Sequence, residues 1–150
     1  MIALKNSVRK IKINEKKLIA QAEKILYILK YTDFDLGILL TTNKTIRTYN
    51  KQYRGKDKPT DILSFSYHPD LKAGQRIKPK TEEDKNLGDL IISLEYVQKD
   101  AQKWEQTFEQ RMQILLVHGI CHLLGYDHEK DEEYEVMHKK EQEILKQLTQ

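Results

Sequence analysis

The chain has 150 residues, 39% of them hydrophobic and 33% charged, with a formal net charge of +3. That length and balance predict one soluble domain spanning residues 1–150, and the mildly basic excess admits a polyanionic partner without requiring one. A lone cysteine, Cys121, excludes an internal disulfide framework; no apolar run is long enough to span a membrane, and MIALKNSVRKIKI lacks the continuous apolar core of a signal peptide, so the expected compartment is the cytoplasm.

Residues 2–13 alternate in the sense of a strand, with Val8, Ile11 and Ile13 set among cations. Asn14 is placed to cap a helix running from Glu15 to about Lys30, where Leu18, Ala22, Ile25, Leu26 and Leu29 recur at helical spacing. Phe34–Thr42 reads as a buried strand, followed by a short helix capped by Asn43 and carrying Ile46 and Tyr49. Gly55 and Pro59 then mark a loop before Ile62, Leu63 and Phe65 resume a strand.

Residues 69–86 are polar and aperiodic, with Pro69, Gly74 and Pro79, and are expected to form a mobile surface loop or hairpin tip. Leu87–Ser93 returns to strand character. Two helices that meet near Trp104–Thr107 follow, the second bearing Met112, Leu115 and Leu116. A last helix begins at the acidic cluster of Glu129–Glu133, which suits its positive dipole end, and turns Val136, Ile144 and Leu148 inward. The expected fold is α+β: a small mixed, mostly parallel sheet of about four strands with about five to six helices, the late helix carrying the site.

That site is the stretch VHGICHLLGYDHE, from Val117 to Glu129. His118 and His122 are four apart and share one helical face. Gly125 permits the chain to reverse at a helix end, bringing His128 to the same point. An isolated histidine on a helix is usually an ordinary core or surface residue, and a pair at this spacing is weak evidence. With a third histidine and a glycine in register, the set becomes three imidazole ligands, which is the ligand number of a catalytic rather than a structural zinc site.

The spacing also matches the metal frame of the metzincin peptidases, which place a glutamate after the first histidine as general base. Here that position is Gly119. Peptide cleavage thereby loses its usual base, whereas a phosphodiester is served by a metal and an arginine that stabilise charge on phosphate oxygens.

HGICHLLGYDH, together with YRGKDKPTDILSFS and LGDLIIS, closely resembles the YbeY family of bacterial ribonucleases, from about Phe34 to the last helix. The resemblance implies a zincin-like metal-dependent hydrolase and a zinc-dependent endoribonuclease acting on single-stranded RNA. It also implies a role in maturing the 3′ end of 16S ribosomal RNA and in ribosome quality control, with 16S ribosomal RNA and the small ribosomal subunit as partners. It maps the metal ligands to His118, His122 and His128 and the functional arginine to Arg54. Two positions depart from the family pattern, Cys121 and Ser66, the latter replacing a frequent proline.

On this reading Arg54 grips the scissile phosphate; the ordinary alternative is a surface arginine paired with Asp57. Lys56 and Lys58 add phosphate attraction or are plain loop lysines. Asp61 and Asp89 either stabilise turns or orient a ligand histidine, and Asp127 holds the turn after Gly125. Tyr53, Phe65 and Tyr67 offer stacking faces to bases or belong to the core. His68 and His138 are read as surface residues, and Cys121 as a small buried one. Two other functions stay open: a noncatalytic RNA-binding ribosome-assembly factor with a structural metal, and a metzincin-like peptidase.

Overall fold

Four apolar stretches pair into one sheet in the computed structural model, which describes residues 1–149. The strands are β1 (Ile2–Asn6), β2 (Asp35–Thr41), β3 (Ile62–Ser66) and β4 (Asn86–Ser93), in spatial order β1-β2-β4-β3. β1–β2 and β2–β4 are parallel, while β3–β4 is antiparallel, so the sheet is mixed and mostly parallel as expected. The helices are α1 (Glu15–Ile28), α2 (Asn43–Arg54), α3 (Leu94–Lys103), α4 (Phe108–Leu123) and α5 (Asp131–Leu148), with a short 3-10 turn at Glu82–Asp84. No described helix is long and apolar enough to cross a membrane.

Successive strand residues point to opposite faces. Leu36, Ile38, Leu40, Leu90 and Ile92 therefore meet α1, α4 and α5 in the main core. Leu63 and Ile91 point the other way, into a smaller cluster with Ile46 of α2. β3 consequently has α4 behind one face and α2 behind the other, with one edge unpaired. That placement sets the stage for the site.

Several boundaries differ from the sequence expectation, each for a local reason. β1 stops at Asn6 because the Asn6 side chain accepts from the Val8 N–H at 2.9 Å and turns the chain, so Val8, Ile11 and Ile13 reach the core from an irregular segment. Asn14 caps α1 as expected, accepting from Lys17 N–H. The cap of α2 is Thr42 rather than Asn43. Asn43 instead joins two helix starts, accepting from Ser93 Oγ at 2.7 Å and donating its N–H to Glu95. α2 also runs on to Arg54, ending only where Gly55 turns left-handed, so Arg54 belongs to a helix end and not to the loop.

The stretch 69–86 is tied down rather than loose. Ile77 is buried, with its N–H bonded to the Tyr31 hydroxyl at 3.0 Å. Next to it Arg76 bonds the Leu29 and Lys30 carbonyls at the end of α1 and lies over the Tyr31 ring. These partners are more than forty residues away in sequence, which local composition cannot reveal. On α5 the inward residue is Met137, and Val136 is exposed.

Candidate metal centre

α4 begins at a reciprocal capping box: Thr107 Oγ1 accepts from Gln110 N–H at 3.0 Å, and Gln110 Oε1 accepts from Thr107 N–H at 2.9 Å. Leu116, Ile120 and Leu123 then bury one side of the helix. Gly119 lets it lie close to the sheet, since a Cβ there would meet Ile62 Cδ1 at 2.7 Å and Leu90 Cδ2 at 2.8 Å. The position after the first histidine thus faces packed methyl groups. A glutamate in it would start its side chain against the core, which gives the absence noted in the sequence a packing reason.

The helix ends as the Gly125 N–H bonds His122 O and the Tyr126 N–H bonds Cys121 O. Gly125 has φ +92, and a Cβ on it would also run into the Leu71 carbonyl. This reversal returns the chain toward α4, and Asp127 steadies it by accepting from the His128 N–H at 2.8 Å. His128 is thereby brought beside His118 and His122.

One ligand nitrogen from each of the three lies within 4.8 Å of the others. His118 Nε2 and His122 Nε2 are 3.1 Å apart. Tetrahedral ligands at zinc–nitrogen bond length sit ~3.3 Å from one another, so the spacing fits a single small cation and the group can hold a metal ion. The rings of His118 and His122 are half-buried and His128 is exposed, so the cluster opens to solvent on one side.

Burial pushes the pKa of His122 down to about 4, with the neighbouring His118 and His128 adding to the shift. It is therefore neutral at neutral pH, the form that ligates. The unfolded chain takes up this proton near the ordinary value of 6.5 and the folded chain only near 4. Metal-free protein should accordingly lose stability as pH falls from about 6.5 to about 4, with no such dependence above that window. Thermal melts of chelator-treated protein across these pH values check this, and His122→Ala should flatten the slope.

A residue not singled out from the sequence completes the centre. Glu141 of α5 places Oε2 2.8 Å from His118 Nδ1, with its side chain only 15% exposed. With Nδ1–H donating to that carboxylate, the ring plane is fixed and Nε2 is left free to face an ion. The signal was present in α5: Met137, Ile144 and Leu148 are buried at helical spacing, and Glu141 interrupts that stripe with a charge. Glu141→Ala should weaken metal affinity by about 10- to 100-fold. Glu141→Gln should fall between, because the amide oxygen still accepts the hydrogen bond without the charge; competition with a chromophoric chelator measures both.

The other candidates divide. Cys121 is fully buried and its thiol is pushed up to about 12, chiefly by burial, so it packs as an apolar residue. Asp61 accepts from Ile62 N–H and faces Arg111 at 3.7 Å, away from the histidines. Asp89 is exposed on the α2 side of the sheet. His68 bonds the Asp84 carbonyl through Nε2, and His138 stacks on Tyr134 at the surface.

Arg54 is not in the histidine cluster; it is exposed at the end of α2, across β3 from α4. The pairing with Asp57 goes instead to Arg47 at 2.8 Å and Lys51 at 4.0 Å. Among the described residues Arg54 has no carboxylate partner.

Comparison with known proteins accords with this arrangement. A family model described as Endoribonuclease YbeY matches residues 3–149. Human Endoribonuclease YbeY is 36% identical over 98% of this chain and 87% of its own length. The Persephonella marina protein of the same name is 42% identical, covering 89% and 83%. The solution structure of TM1509 from Thermotoga maritima superposes with a TM-score of 0.58 at 28% identity, covering 98% of this chain and 91% of that one. With three histidines gathered at the end of a helix that packs on a mixed sheet and a match across nearly its whole length, the chain belongs to the Endoribonuclease YbeY family.

Proposed function

We propose that this chain is a metal-dependent endoribonuclease that cleaves single-stranded RNA, with zinc held by His118, His122 and His128. The carrying observation is the convergence of three imidazole nitrogens within 4.8 Å in a member of this family. When bound, the metal supplies Lewis acidity toward water and phosphate oxygen. His122 stays neutral to ligate, Glu141 holds the His118 ring, and the exposed side of the cluster admits substrate. Arg54, exposed at the end of α2 and without a carboxylate partner among the described residues, is the donor we assign to the phosphate oxygens as charge builds on them, its planar fork suiting it to that task.

The substrate we assign is 16S ribosomal RNA on the small ribosomal subunit, near its 3′ end, in the cytoplasm, with residues 1–150 acting as one domain. Strand preference tests the reading. Zinc-loaded protein should cut a single-stranded RNA internally while leaving the same sequence intact in a duplex and in DNA form. Equal cutting of all three would contradict it.

A further inference from the structure

The face of the sheet opposite α4 carries aromatic and charged side chains that metal binding does not use. An open depression of ≈ 540 Å³, within the size range of small-ligand sites, is lined by Lys5, Tyr49, Tyr53, Phe65 and Asp89 among others. Tyr53 is 59% exposed at its rim. Its ring is held nonetheless, stacked on Tyr49 at 6.2 Å and 13° and edge-on to Phe65 of β3 at 5.2 Å. A fixed, solvent-facing ring costs little further ordering when a flat partner lands on it.

Charge decides which partner. Residues 44–58 hold Lys44, Arg47, Lys51, Arg54, Lys56 and Lys58 against the single acid Asp57, an excess larger than the +3 of the whole chain. Arg54, Lys56 and Lys58 are exposed with no ion pair among the described residues. Just past His128 in the chain, Glu129 and Asp131–Glu133 present exposed carboxylates that repel a polyanion. This contrast favours a negatively charged partner on the α2 side, where Phe65 of the edge strand β3 meets Tyr53.

We propose that Tyr53, backed by Tyr49 and Phe65, is a stacking subsite for an unpaired base of the RNA. The strand leaves the histidine cluster across the edge of β3, and Lys56 and Lys58 attend its phosphates. This rests on RNA being the substrate, and it adds a base-binding position on the far face of the sheet. Stacking selects single strands, because a duplex cannot offer an open base face to the ring.

The test uses chelator-treated full-length protein and a fluorescein-labelled oligouridylate, read by anisotropy, so that binding is measured without cleavage. Tyr53→Ala should weaken binding by about 5- to 50-fold, while Tyr53→Phe stays close to wild type. An abasic oligomer of equal length should bind wild type and Tyr53→Ala alike. Photocrosslinking of 5-iodouridine RNA to wild-type protein should modify Tyr53, which keeps the test independent of how the variants fold. Unchanged affinity in folded Tyr53→Ala, or crosslinks confined to other residues, overturns the proposal. So does unchanged RNA binding with loss of binding to a small-subunit ribosomal protein, which would make this a protein-docking face. If Tyr53-dependent binding holds but no metal supports cleavage, the nuclease reading fails and the subsite stands.

Discussion

His118→Ala protein is expected to lose tight metal binding and to cleave single-stranded RNA about 10³-fold more slowly than wild type, since the metal contributes several kcal/mol of charge stabilisation. Two imidazoles remain, one of them the exposed His128, and they no longer enclose the ion. The substitution also strips Glu141 of its partner, leaving a mostly buried carboxylate without its hydrogen bond. A modest drop in melting temperature should therefore accompany the loss of metal. Adding Glu141→Ala to His118→Ala should recover part of that stability while leaving activity absent, which separates the two effects. Inductively coupled plasma analysis, cleavage rates and thermal melts on the same preparations provide the measurements.

Arg54→Ala should behave differently. The side chain is exposed and has no carboxylate partner among the described residues, so its removal should leave the melting temperature and metal content unchanged. Cleavage should nevertheless slow by about 10²- to 10³-fold, as for other donors that stabilise developing oxyanions. Arg54→Lys should restore little of the rate, because an ammonium is a point charge without the paired donors of a guanidinium. The combination of normal stability, normal metal content and lost rate would place Arg54 with the substrate. A fall in metal content would instead tie it to the metal site.

Much of the fold is written in local pattern. α1 announces itself through Leu18, Ala22, Ile25 and Leu26 and through the Asn14 cap, all of which act within one helix. The gathering of the three histidines is legible for the same reason: one helix and one glycine reversal bring them together. What escaped depends on contacts between distant segments. The order of residues 69–86 comes from the Tyr31 hydroxyl and from carbonyls at the end of α1, none of which a polar, aperiodic stretch advertises.

Glu141 escaped because its partner lies 23 residues away on another helix, although its intrusion into the apolar stripe of α5 was visible. Arg54 stands out by resemblance alone, and its place at a helix end is hidden because Gly55 reads equally as the start of a loop and as the residue that ends a helix. The role of Gly119 likewise changed meaning. Its sequence signal was a missing base, and the packed methyls of Ile62 and Leu90 explain why no side chain stands there.

The central claim is that one metal ion, held by His118, His122 and His128, is required for RNA cleavage. Zinc titrated into chelator-treated protein, with the rate of single-stranded RNA cleavage followed at each addition, tests it most directly. Cleavage should be absent before addition, rise linearly to a plateau at about one equivalent per chain, and fail to rise in His118→Ala protein. Undiminished cleavage by chelator-treated His118→Ala protein, purified free of contaminating nuclease, would contradict it.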